Sequence, residues 1–294
     1  MLRACVGAQC DVARSSRATT LPLDRAAGYP SLPLEGAPNP NPPQNWPAVL
    51  WLVRHGESAG NVARDAAERA GLPTIELTHR DVDVPLSPLG ERQATALGRW
   101  FDARPDGEKP TVVLTSPYVR ATQTAQRIVD EARLARGPLA HQVDERLREK
   151  EFGSLNRLTR AGIVARFPQE AELRAQVGKF YYRPPGGESW CDVLLRLRSV
   201  LHHIQLQYRN ERVLVVAHQV IVLCFRYLLE GLDEARILAI DREHDVANCS
   251  LTIYEQFTDT DGRSRMALRD YNRVTPLEDA GEPVTERPDP AAPR

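Results

Sequence analysis

The chain has 294 residues, of which 42% are hydrophobic and 26% charged, with a formal net charge of -1. That is an ordinary composition for a soluble globular protein, long enough for one sizeable domain or two small ones. The near-neutral balance excludes a general electrostatic pull toward nucleic acid or acidic lipid, so any polyanion must be held by a local cluster of basic groups.

No run approaches the roughly 20 apolar residues of a membrane span. Residues 1–20 carry charges but no apolar core, so neither a membrane anchor nor a secretory signal is expected. The five cysteines, Cys5, Cys10, Cys191, Cys224 and Cys249, are odd in number and sparse, with no CxxC pair and no Cys/His cluster of metal-ligand spacing. They read as reduced thiols of a cytoplasmic protein that needs no metal and no cofactor.

Residues 1–46 end in the Pro-rich run PSLPLEGAPNPNPPQNW, which blocks helices and removes ladder donors, and they are expected to be a disordered arm. The folded domain is expected over 47–274. AVLWLVR (48–54) is a continuous apolar run ending at Arg54, a buried strand. SPLGERQATALGRWF opens with Ser87 as a cap and Pro88 at the first helical position. TVVLTS (111–116) is a second buried strand, PYVRATQTAQRIVDEA a helix, and AHQVDERL holds a short strand. A helix begins at Ser189 with Val193, Leu194, Leu197, Val200, Leu201 and Ile204 on one face. RVLVVAH (212–218) is a third buried strand, and QVIVLCFRYLLEG a helix that Gly231 terminates. SLTIYEQF and RMALRDYN flank TDTDGRS as a hairpin. From Thr275 the Pro- and Glu-rich end, 275–294, is expected to be a disordered tail.

Alternating apolar strands and helices predict an α/β three-layer sandwich with a mostly parallel central sheet. Ligands bind such sheets at the C-terminal strand ends. Arg54 and His55 end one strand, His218 ends another, and Arg120 lies in the first turns of a helix after Ser116-Pro117. Together they make a cationic cup. Guanidinium groups match phosphate oxygens with paired donors, and a neutral imidazole is a competent nucleophile toward phosphorus. No cluster of acids suggests magnesium, so the cations must neutralise charge on the transferring group. The leaving alcohol needs a proton, which calls for a carboxyl group of raised pKa. Glu149 is the candidate, with Glu151 and Glu145 as rivals.

The runs LVRHGES, LSPLGERQA, LTSPYVRATQTA, LREKEFG, PPGGES and VVAHQ stand in that order from Leu52 to Gln219. Together they resemble the histidine phosphatase superfamily, the phosphoglycerate mutase-like group. The resemblance implies its fold and assigns His55 as the residue that becomes phosphohistidine. It implies Arg54, Arg120 and His218 as the rest of the phosphate pocket and Glu149, four residues before Gly153, as acid/base. Asn61 and Ser58 match positions lining phosphate or substrate. Gln219 stands where a glycine is often found, and its side chain is expected near the pocket mouth. Arg183, in a Lys179–Arg183 basic-aromatic stretch, is a further substrate candidate.

EKEFG and the His218-Gln219 pair depart from the true mutases, where ERHYG and His-Gly occur, and this favours hydrolysis. The expected function is a metal-independent phosphomonoesterase acting on a small-molecule phosphate ester, with sugar phosphates and phosphoproteins both open. A phosphoglycerate mutase or fructose-2,6-bisphosphatase-like enzyme is the alternative. An inactive phosphoester-binding module is the alternative of another class.

Overall fold

The computed structural model describes residues 45–136, 139–260 and 262–286. The expected arm, but for its last two residues, lies outside the described residues. So do Cys5 and Cys10, and residues 287–294 of the expected tail.

A six-stranded sheet in the order β3-β2-β4-β1-β5-β6 forms the middle layer. Its strands are β1 (Val49–Arg54), β2 (Val112–Thr115), β3 (Ala140–Val143), β4 (Arg212–Ala217), β5 (Leu251–Thr258) and β6 (Ser264–Arg273). The first four run parallel, whereas β5 and β6 add an antiparallel hairpin beside β1. The helices are α1 (Ala59–Arg69), α2 (Pro88–Asp102), α3 (Val119–Glu131), α4 (Arg160–Arg166), α5 (Pro168–Val177), α6 (Trp190–Gln207), α7 (Gln219–Glu230), α8 (Glu234–Glu243) and α9 (Thr275–Asp279).

Strand side chains alternate between two faces, and here each face has its own core. Leu50, Leu52, Leu114, Val213 and Val215 pack with α6 and α7, including Val193, Leu197, Leu201 and Phe225. Trp51, Val53, Val113, Leu214 and Val216 pack with α2 and α3, including Leu97, Phe101, Ala121 and Ile128. Because both faces are covered, the central strands read as unbroken apolar runs. Each fully buried Leu or Phe contributes about 1.5–3 kcal/mol of transfer free energy. A smaller cluster, Leu155, Leu158, Ile163 and Tyr182, holds α4 and α5 together.

Two expected boundaries move. The domain begins before residue 47: Trp46 is buried in the α6/α7 core, and its carbonyl accepts the amide of Asn210 at 3.1 Å. The domain also extends past 274. Pro276 seats the first turn of α9, and Leu277 is wholly buried against the α2/α3 core. Gln93 then donates to the Pro283 carbonyl (2.9 Å) and the Thr285 hydroxyl (3.1 Å). One apolar side chain and a few polar bonds order a segment whose composition alone resembles a solvated tail.

Candidate active site

The site is built by the ladder register. Arg54 on β1 pairs with Ala217 on the neighbouring parallel β4, so the next residues, His55 and His218, leave the sheet side by side. Their rings lie 5.2 Å apart, centroid to centroid, at 65°. From β2 the chain passes through Ser116 into α3, which carries Arg120 in its first turn. After β3 it passes through a short turn to Glu149. The C-terminal ends of all four parallel strands therefore supply groups to a single point, β1 giving both Arg54 and His55, and this is the place where such sheets bind ligands.

Each of these side chains is almost wholly buried. The nitrogen Nδ1 of His55 lies 2.7 Å from the carbonyl of Gly56, and Arg120 Nε donates to His55 Nε2 at 3.2 Å. A carbonyl only accepts and a guanidinium only donates, so Nδ1 carries the proton and Nε2 the lone pair. The nucleophilic face of a neutral imidazole is thus turned toward the arginine. Arg120 Nη1 donates to the Asp81 carbonyl (2.7 Å) and carboxylate (3.1 Å), while its Nη2 is buried with no hydrogen-bond partner among the described residues. A buried donor of this kind is costly unless an acceptor meets it, and a phosphate oxygen is a suitable acceptor. The guanidinium also lies over the Tyr118 ring at 4.8 Å, and burial pushes that phenol's pKa up. Arg54 is fixed by donation from Nη1 to the Val246 carbonyl at 2.6 Å. His218 Nε2 lies 2.8 Å from the Ser116 hydroxyl, and its Nδ1 lies 4.0 Å from Glu149 Oε2.

The loop bearing Glu149 is clamped from behind. Glu188 accepts from Arg148 (2.7 Å), from Arg196 (2.9 and 3.0 Å) and from the amide of Glu151 (3.0 Å). Burial opposes ionisation of Glu188, but the Arg196 and Arg148 partners outweigh it and hold its pKa below the usual range. Gly153 closes the loop at φ +54, and a Cβ there would meet the Pro185 carbonyl at 2.1 Å. Lys150 is buried beside Glu149, its ammonium 4.4 Å from the centre of the Phe152 ring, and burial pushes its pKa down to about 8 against the pull of Glu149 and Glu188.

The peripheral candidates are placed differently. Ser58 and Asn61 form a reciprocal capping box at the start of α1: the Ser58 hydroxyl accepts the Asn61 amide (3.1 Å), and Asn61 Oδ1 accepts the Ser58 amide (3.0 Å). Both thereby shape the turn after His55. Gln219 begins α7, where its amide donates to Asp245 at 2.8 Å, and its Oε1 is buried with no hydrogen-bond partner among the described residues. Arg183 does not join the cluster. It is 62% exposed and pairs with Asp192 at the start of α6. The expected basic-aromatic patch does not form either, because Lys179 pairs with Asp241 and the buried Tyr182 donates to Glu170 (2.8 Å). Asp81 and Ser116, which orient Arg120 and His218, carry no sequence signal of their own beyond Ser116 lying inside the LTSP run. Among the described residues no three His, Cys, Asp or Glu side chains are grouped to hold a metal ion, and no helix is long and apolar enough to cross a membrane.

Two histidines, two arginines and a buried carboxyl group thus meet at the C-terminal ends of the four parallel strands, a cationic cup whose donors match the oxygens of a phosphate group. Residues 50–267 match the model of the histidine phosphatase superfamily (branch 1), and the chain belongs to that family. It is 34% identical over 179 residues to a 6-phosphofructo-2-kinase/fructose-2,6-bisphosphatase of Caenorhabditis elegans, covering 60% of this chain and 33% of that one. The chain thus spans about a third of the length of that relative. It is 30% identical over 194 residues to a 2,3-bisphosphoglycerate-dependent phosphoglycerate mutase of Methylobacterium radiotolerans, covering 64% and 82%. A solved structure of mycobacterial glucosyl-3-phosphoglycerate phosphatase complexed with VO3 superposes with a TM-score of 0.57 at 25% identity, covering 77% of this chain and 99% of that one.

Proposed function

We propose that the chain hydrolyses phosphate monoesters through a phosphohistidine on His55, with phosphorylated sugars or sugar acids as the substrate class. The observation that carries the proposal is the unprotonated Nε2 of His55, fixed in that tautomer by the Gly56 carbonyl at Nδ1 and hydrogen-bonded by Arg120 Nε. In the first step Nε2 attacks phosphorus in line; the N–P bond forms as the ester P–O bond breaks, and the protonated carboxyl of Glu149 gives its proton to the leaving oxygen. In the second step water attacks phosphorus, Glu149 takes its proton, and the N–P bond breaks to release inorganic phosphate. Arg54, Arg120 and His218 hold the equatorial oxygens throughout, supplying the charge stabilisation that phosphoryl transfer chiefly needs. The amide end of α7, which starts immediately after His218, adds a favourable dipole.

The relatives named above act, as their names say, on fructose 2,6-bisphosphate, phosphoglycerate and glucosyl-3-phosphoglycerate, which supports a sugar-derived substrate over a phosphoprotein. Cys191, Cys224 and Cys249 are free thiols, consistent with a proposed cytoplasmic setting. His55→Ala should abolish hydrolysis of p-nitrophenyl phosphate while circular dichroism and melting temperature stay native, and EDTA should leave the wild-type rate unchanged. Substantial turnover by folded His55→Ala protein would overturn the nucleophile. Interconversion of 2- and 3-phosphoglycerate faster than phosphate release would establish the mutase alternative, and folded wild-type protein without turnover on phosphorylated sugars, glycerates or phosphopeptides would establish a binding module.

A further inference from the structure

The peptide run His55-Gly56-Glu57 decides where the His55 ring points, because the Gly56 carbonyl receives the Nδ1 proton. That run is gripped at both ends by side chains from elsewhere in the chain. Asn248 Nδ2 donates to the His55 carbonyl at 2.9 Å, and Gln93 Oε1 accepts the Glu57 amide at 2.9 Å. Both grips meet at one hydroxyl. Thr285 Oγ1 donates to Asn248 Oδ1 at 3.0 Å and accepts from Gln93 Nε2 at 3.1 Å. The Thr285 carbonyl also accepts the Asn248 amide at 2.9 Å. Next to Asn248, Cys249 adopts a left-handed backbone (φ 54), and its amide donates to the Arg54 carbonyl at 2.9 Å. Such a conformation is unfavourable for a side-chain-bearing residue and persists where the surroundings over-determine it.

We infer that Thr285 is a positioning residue for the reaction: its hydroxyl locks Asn248 and Gln93 in the rotamers that hold the His55-Gly56-Glu57 backbone, and through it the Nε2 lone pair, in line for attack. The inference rests on His55 being the nucleophile. Thr285 touches no reacting atom and acts only through its two partners. A hydroxyl can donate to an amide oxygen and accept from an amide nitrogen at once, which no apolar side chain of the same shape can do. Valine would leave the packing intact and both partners short of one bond.

The test is rapid-quench measurement of phosphohistidine formation from a labelled phosphate monoester at saturating concentration, because a rate constant does not depend on the fraction of protein folded. Thr285→Val should lower that rate constant about fivefold, the equivalent of one hydrogen bond of about 1 kcal/mol. KM should stay within about twofold, since losing in-line geometry affects the chemical step rather than ground-state binding. Thr285→Ser, which keeps the hydroxyl, should return the rate constant to near wild type. Thr285→Ala carries the same expectation as valine where the valine variant folds too poorly to assay. A wild-type rate constant in the valine or alanine variant, with only the amplitude or melting temperature reduced, would show a plain structural brace and overturn the inference alone. Wild-type protein that forms no label on His55 would remove the nucleophile assignment and this inference with it.

Discussion

Glu149 Oε1 accepts the amide of Lys150 at 2.7 Å, and its other oxygen lies toward His218. In the proposed reaction this carboxyl exchanges a proton with the oxygen on phosphorus. Replacing it by glutamine should cost about 10²–10⁴ in kcat on alkyl phosphates, the usual weight of general acid–base catalysis. With p-nitrophenyl phosphate, whose leaving group departs without a proton, the same variant should show a burst of nitrophenol followed by slow turnover; absence of the burst would move the acid/base role to another group. Lys150 next door makes a separate, pH-dependent prediction. Its folded pKa of about 8 lies below the ordinary lysine value. Between the two the unfolded chain binds a proton that the folded chain lacks, so stability rises with pH there, and a penalty on the order of 3 kcal/mol stands in full below pH 8. Lys150→Met should therefore melt higher than wild type at pH 7, and the gap should close toward pH 10.

Among single residues, those the fold brings together at the strand ends were legible because motif and strand end coincide: His55, His218 and Arg120 each follow an apolar run or a helix start. Ser58 and Asn61 were legible as a pair, but their reciprocal capping box was not, since a cap and a ligand contact draw on the same residue types. Thr285 and Asn248 were invisible, because their importance lies in tertiary partners.

Between elements, α2 approaches the loop after β1 very closely. A Cβ on Gly90 would meet the Glu57 carbonyl at 1.9 Å, and one on Gly56 would meet the Gly90 carbonyl at 2.5 Å. Both contacts are backbone to backbone, so neither can relax by a rotamer change. Gly90→Ala should push α2 away from residues 56–57, lowering melting temperature and kcat together. A variant with native stability and kcat would show that the approach is looser than the geometry states. The strands and the helices that cover them followed from apolar periodicity. The elements between Gly153 and Gly187 did not: α5 carries no buried residue and lacks an apolar stripe, so its ten residues resemble a polar loop although they are helical.

For the molecule as a whole, the three layers place one core on each side of the sheet and leave the strand ends free for the site. The same arrangement could not be read at the C-terminus, where Leu277 and Thr285 attach residues 275–286 to α2 and to the turn after α8. Composition averages over such a segment, whereas its order depends on two or three contacts.

The register that sets His55 beside His218 has a kinetic consequence. Strands β1 and β4 lie far apart in the sequence, as do β1 and β5, so the neighbours that complete the central sheet must close long loops before they meet. Such topologies fold slowly compared with local ones. A slip of one residue between β1 and β4 would also turn each apolar set to the wrong face. Helical signal should thus return early on dilution from denaturant, and hydrolysis only with the final, all-or-none sheet closure. Stopped-flow circular dichroism followed alongside recovery of p-nitrophenyl phosphate turnover should show the two separated in time, with enzyme activity serving as a clock for the last long-range pairing.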